Sequence, residues 1–299
     1  MPLYELAALG AATCWALTGL ISTGPAKHLG AIAFTRTRMT IVFVMFVAVL
    51  LATGRWQGIG WAEALPLVLS GFIGIFLGDS CLFLTLNRLG PRRTGILFSM
   101  NAPMAVVLGW IFLGEALSWG ALSGIMVTVG GVVLAIVFGK RRSQLHHWEH
   151  VRGPLWIGVG LGLTSALSQA VGSLIARPVM AAGVDPVAAS TTRIGVAALA
   201  LTLVGLLPIR HFRATNALTL RHAIVVAISG FLAMGLGMTL LLFALSGGKV
   251  GIVSTLSATS PALILPLLWL TTKEMPAPGA WVGALLVVGG TAMIFAAQG

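Results

Sequence analysis

Asp79 is the only acidic residue deep within a long apolar stretch of this chain. An ionised carboxylate at the middle of a membrane costs on the order of a few kcal/mol, so it needs a cation, a proton or a purpose. Arg38 is the basic candidate in a neighbouring apolar run, with Arg36 as a second. If one apolar run enters a membrane near residue 31 and another leaves by the same face near residue 87, the helical rise puts Arg38 about 10 Å deep and Asp79 about 12 Å deep. An Asp79–Arg38 ion pair is therefore geometrically available, as a structural lock, a gate, or a contact for a solute's charged groups. Small polar side chains gather in four apolar runs: Thr18; Ser99 and Asn101; Ser165, Ser168 and Gln169; Ser257 and Ser260. Each can line a pathway, or simply hydrogen-bond one helix to another. Trp15 lies away from the ends of its run, where an aromatic wall or plain packing explains it equally. Pro103 and Pro261 each remove an intrahelical hydrogen bond and can free a carbonyl for an ammonium group. Cys14 and Cys81 lie inside apolar runs, and the six histidines fall between runs. Neither pattern implies a disulfide framework, a metal site or a bound cofactor.

The elements that must position these residues follow from composition. Only 8% of the 299 residues are charged and 58% are hydrophobic, with a mean hydropathy of +1.01. A soluble domain carries roughly a quarter charged residues, so lipid is the expected solvent for this surface. The 38 glycines suit helices that approach closely in lipid. The net charge of +11 is spread as short clusters between apolar runs, which argues for topology rather than a nucleic-acid partner.

A bilayer core about 30 Å thick needs about 20 apolar residues per helix. Ten such runs can be read, at 3–23, 31–53, 63–86, 92–113, 119–138, 154–177, 185–207, 220–246, 249–272 and 278–297. The expected fold is an all-α membrane protein of ten transmembrane helices. The first run is read as a span rather than a cleaved leader, because Glu5 stands where positive charge is expected and Pro25-Ala26 offers no small-residue cleavage pattern. The loops joining odd to even runs carry fourteen basic residues, against four on the opposite side. The positive-inside rule then makes those loops cytoplasmic and both termini periplasmic, in a bacterial inner membrane. Trp56, Trp61, Trp119, Trp148, Trp156 and Trp281 lie near run ends, as in an interfacial aromatic belt.

The chain also repeats itself. Ser70-Gly71-Phe72 recurs as Ser229-Gly230-Phe231, and the same spacing of 159 matches Gly78 with Gly237, Trp110 with Trp269, Glu115 with Glu274, Gly124 with Gly283 and Gly131 with Gly290. Arg38 pairs with Arg193, and Gly19 with Gly172, at slightly shorter spacings. The expected domains are residues 1–138 and 154–299, joined by a basic cytoplasmic linker at 139–153. An odd number of spans per unit makes the two units inverted in the membrane, an arrangement that places a transport site near the midplane and gives alternating access. Met238 falls where Asp79 does in the first unit, so Arg193 lacks that partner and could attract a carboxylate from the cavity, or snorkel outward. Glycines at four-residue spacing (Gly74, Gly78, Gly120, Gly124, Gly279, Gly283) are expected at close helix contacts, with the terminal helices as candidates for contact with a second copy.

These features resemble the drug/metabolite transporter superfamily, specifically its EamA-type ten-helix members. The resemblance is most specific from Gly95 through Pro103 and Trp110 to Leu113-Gly114-Glu115, and in the matching stretch from Gly251 through Pro261 and Trp269 to Glu274. Many members carry Glu immediately before that proline; here Ala102 and Ser260 stand there, and Thr272-Lys273 replaces Leu-Gly before Glu274. Any role of that carboxylate therefore does not transfer. Within the family the chain is most similar to YddG-type amino-acid exporters, which implies export of aromatic and other neutral amino acids.

The expected function is thus a carrier for a small organic solute, acting in the bilayer as a monomer or homodimer and facilitating flux down a gradient. The runner-up is an exporter of cationic drugs, nucleosides or sugar derivatives, with proton coupling open to it. A membrane enzyme would need convergent acid, base or metal-binding groups. A channel would need charged rings or polar filter loops. The sequence offers neither.

Overall fold

In hydrocarbon every backbone N–H and C=O must find its partner within the chain, and a run of apolar residues with no bulk water satisfies them as a helix. The structure, a computed structural model, describes residues 2–54, 60–114, 118–138, 151, 153–208, 213–248, 250–257, 259–273 and 275–298. Those residues are helical throughout, with turns and no strand. The first half holds α1 (Pro2–Ile21), the short α2 (Thr23–Leu29), α3 (Ala31–Thr53), α4 (Trp61–Ser70), α5 (Gly78–Phe98), α6 (Asn101–Leu113) and α7 (Trp119–Phe138). The second holds α8 (Leu155–Ala181), α9 (Pro186–Leu206), α10 (Leu220–Gly230), α11 (Met238–Gly247), α12 (Val250–Ser257), α13 (Ser260–Thr272) and α14 (Pro278–Gln298). Among the described residues six helical stretches are long and apolar enough to cross a membrane, and shorter apolar helices accompany them. Most of the linker at 139–153 lies outside the described residues, as do Arg55, Trp56, Glu115, Trp148, Lys249 and Glu274.

One stretch, Trp61–Phe98, runs for 38 residues. As a straight helix it would be about 57 Å long, far beyond the hydrocarbon thickness. Gly90 ends it: its φ of 80° and ψ of 170° leave the helix, in a region open to glycine, and Pro91 restarts it. The runs expected at 92–113 and 249–272 are each broken once, at Ser99–Met100 and just before Ser260. The cause is proline chemistry. Pro103 has no N–H for the Ser99 carbonyl, and Pro261 none for that of Ser257. Ala102 N–H reaches the Ser99 carbonyl instead at 3.2 Å, and the Ser260 hydroxyl donates to that of Ser257 at 3.2 Å. Both freed carbonyls are thereby taken up in this conformation.

The repeated Ser-Gly-Phe sequences open two wide π-helical segments, Gly71–Leu77 between α4 and α5, and Phe231–Gly237 between α10 and α11. Each lies against the other half. α8 packs on the first segment and α1 on the second. A carbon added at Gly71 would meet the Arg193 backbone at 2.7 Å, and one at Gly230 would meet the Arg38 side chain at 2.9 Å. Each contact is the repeat image of the other.

α7 and α14 show the same reciprocity. A carbon added at Gly124 would sit 2.7 Å from the Gly290 carbonyl, and one at Gly131 would sit 2.8 Å from the Gly283 carbonyl. As residue numbers rise along α7 they fall along α14, so the two helices run antiparallel. The glycine faces considered for contact with a second copy are therefore covered within this chain.

The outward faces are apolar, with Leu206 75% and Phe112 68% exposed, as lipid requires. Trp61 and Trp119, at helix starts, are 95% and 88% exposed. At one end the halves also meet through His28 of α2, stacked on His222 of α10 with ring centres 4.0 Å apart.

Candidate functional site

A cavity of about 70 Å³ lies between the halves, bounded by α1, α3, α5, α8, α11, α13 and the second π-helical segment. A buried water needs roughly 10–15 Å³ on this measure, so several fit. Its wall begins at Trp15, Met234 and Met238 and extends to Leu86 and Pro91, beside the Gly90 break.

Trp15 forms one end. Its indole N–H donates to the Ala233 carbonyl at 3.1 Å, inside the second π-helical segment, and its ring meets Phe98 edge-on at 5.9 Å between centres. That carbonyl also accepts the Met238 backbone N–H across the π turn, so the indole uses its second lone pair. Trp15 is thus both a wall and a tie between the halves.

Arg38 and Asp79 supply the charged part of the wall. They form a buried ion pair through Arg38 Nη2 and Asp79 Oδ2. The guanidinium also lies 4.4 Å from the Phe83 ring centre and 5.5 Å from that of Phe34, so two aromatic faces share its charge. In an apolar interior this arrangement keeps both ions where either alone would be costly.

Of the other residues expected from the sequence, Thr18, Gln169 and Ser260 line the cavity. Thr18 donates to the Trp15 carbonyl at 3.1 Å, and Ser260 also reaches the Ala12 carbonyl at 3.2 Å. Ser99, Asn101 and Ser257 lie off the wall, each donating to a carbonyl three residues earlier in its own chain segment. Ser165 is fully buried with no partner for its hydroxyl, and Ser168 packs against Gly78. Pro103 and Pro261 stand in the first turns of α6 and α13, just after the two helix breaks, where a missing N–H does least harm.

Arg193 does not line the cavity. It is fully buried behind Met238, whose sulfur accepts from Nη1 at 3.1 Å, while Nε and Nη2 have no hydrogen-bond partner. Asp79 lies within electrostatic reach of Arg193 as well as of Arg38. Asp79 thus pairs directly with the guanidinium of its own half and lies within the electrostatic field of the other half's. Sequence reasoning missed the lining residues Leu82, Phe83, Leu86, Thr94 and Ile264. Only Thr94, polar and just after the Gly90-Pro91 break, carried a readable signal.

Known proteins bear on this arrangement at three levels. A solved crystal structure superposes with a TM-score of 0.74, covering 97% of this chain and 95% of that one at 20% identity, a likeness of fold alone. The threonine/homoserine exporters RhtA of Salmonella typhimurium strains SL1344 and LT2 are 35% identical over 138 residues. That match spans 44% of this chain and 43% of each relative, less than half of either protein. The EamA-like transporter family model matches residues 2–137 and again 156–296. With apolar crossing helices enclosing a partly charged cavity and both matches together covering nearly the whole sequence, this multi-pass membrane protein belongs to the EamA-like transporter family.

Proposed function

We propose that this transporter exports small neutral α-amino acids, aromatic ones among them, by alternating access and down their own gradients. One observation carries the reading: the cavity wall joins a buried Arg38–Asp79 pair to a surface otherwise dominated by aromatic and aliphatic side chains. A zwitterion has two opposite charges to satisfy and no net charge, so a balanced pair suits it. A cation that took Asp79 would leave Arg38 without an anion, whereas a zwitterion brings a carboxylate of its own. Trp15, Phe83, Phe98 and Ile264 offer contacts to an apolar side chain. The partial match to threonine/homoserine exporters and the resemblance to YddG-type exporters support the same substrate class.

The carrier reading rests on ten spans in two five-helix units, 1–138 and 154–299, inserted in opposite senses and joined by a cytoplasmic linker at 139–153. The antiparallel α7–α14 register and the exchanged Gly71–Arg193 and Gly230–Arg38 contacts support it. The loop charges favour both termini in the periplasm of a bacterial inner membrane. The partners are then the lipid bilayer and the solute, with one copy sufficient to form the pathway and a homodimer compatible with it. Proton coupling requires a carboxylate that changes charge during the cycle. Asp79, held by a guanidinium in this conformation, is poorly placed for that, which favours facilitated export.

Counterflow in proteoliposomes tests this directly, using radiolabelled neutral, aromatic and basic amino acids against cationic drugs, with and without a pH gradient. Saturable flux of neutral amino acids that persists without the gradient is expected. Flux confined to cations, or lost when the gradient is removed, overturns the reading.

A further inference from the structure

Arg193 is the least satisfied charge among the described residues of the interior. Its side chain is completely buried, its Nε and Nη2 hydrogens have no acceptor, and Nη1 meets only the Met238 thioether, a weak one. A guanidinium in an apolar interior with idle donors is costly unless an anion reaches it at some stage. Little stands between it and the transport pathway: Met238 lines the cavity on one side and touches Arg193 on the other. Methionine is unbranched with three rotatable bonds, so its thioether can swing aside without backbone movement.

On the cavity side of this screen lies Asp79, within reach of the Arg193 field and already on the wall. An acceptor for an ammonium and a donor for a carboxylate thus serve the same cavity, one on its wall and one behind the Met238 screen. We propose, building on the amino-acid reading above, that Arg193 is the receptor for the substrate's α-carboxylate, uncovered when Met238 swings away, with Asp79 taking the α-ammonium. Entry of the carboxylate replaces the sulfur contact and fills the idle guanidinium donors. Bidentate pairing of this kind is the geometry that arginine favours. Met238 is then the door between a resting cavity and a loaded site. Its position as the repeat image of Asp79 explains why a neutral residue stands there: a second carboxylate would occupy Arg193 permanently.

The test compares L-threonine with L-threonine amide, which keeps the ammonium and lacks the anionic carboxylate. Both are titrated by thermal shift and by competition for counterflow in the purified full-length protein. The wild-type protein is expected to favour the acid by about 10- to 100-fold, the worth of one or two charge-assisted hydrogen bonds. Arg193→Gln should erase that preference while leaving the affinity for the amide within about 3-fold, and Arg193→Lys should retain part of it. Should the glutamine variant fail to fold, Met238→Glu supplies the buried cation with its own anion, and is expected to fold while losing the preference in the same way. A preference for the acid that survives both Arg193→Gln and Met238→Glu overturns the assignment and leaves amino-acid export standing. Failure of the wild-type protein to bind or carry either compound overturns export itself, and this assignment with it.

Discussion

Arg38 and Arg193 hold matching places in the two halves, each pressed against a glycine of the other half's Ser-Gly-Phe sequence, yet they are served very differently. Arg38 has a carboxylate and two aromatic faces. At the spacings of 155 and 159 that relate the halves, Phe34 corresponds to Ala189, Asp79 to Met238 and Phe83 to Leu242. Among the described residues Arg193 therefore lacks Arg38's aromatic faces, and its hydrogen bond goes to a sulfur rather than a carboxylate. The scaffold is symmetric and the chemistry is not. Duplication built the enclosure, and a few substitutions gave its two sides different tasks.

The strongest test of that contrast is Asp79→Ala, which leaves two buried guanidiniums without an anion. It should cost about 3–5 kcal/mol, read as loss of monodisperse protein and a lower melting temperature in detergent. An equally severe loss from Met238→Leu would abolish the distinction between the two sides. Next comes the glycine pair, for which overpacking costs about 1–3 kcal/mol. Gly71→Ala should be the more damaging, because its new methyl meets Arg193 backbone at 2.7 Å, whereas that of Gly230→Ala meets the Val42 and Arg38 side chains, which can shift. Paired melting curves decide it, and the reverse order contradicts the packing described here. Phe83→Leu places in the first half the residue type that stands at its repeat position, Leu242, in the second. Loss of the cation–π contact should lower stability by about 0.5–2 kcal/mol, by the same assay. Met238→Leu is the mildest, within about 1.5 kcal/mol since volume is kept.

Several of these features were legible in the residues themselves. Charge depletion pointed to lipid as the solvent, and four-residue glycine spacing marked α7 and α14 as contact helices, though toward a second copy rather than toward each other. The matched depths of Arg38 and Asp79 along their helices anticipated their meeting. Rotation about each helix axis was not legible. In α3 the consecutive Thr35, Arg36, Thr37 and Arg38 point to every side, so no polar stripe tells which face turns inward, and Ser99, Asn101 and Ser257 satisfied their own backbone rather than the cavity. The screening of Arg193 by Met238 was hidden for the same reason. The π-helical segments escaped because a one-residue change of helical pitch leaves hydropathy untouched, although both begin at the duplicated Ser-Gly-Phe.

Where α7 and α14 meet, glycines bring main chain against main chain at successive levels, from Gly120 beside Ala297 to Gly131 beside Gly283. Surfaces in such intimate register can neither slide nor part without losing contact at every level together. A motion that opens the interior is therefore expected to keep this pair together and to turn about it.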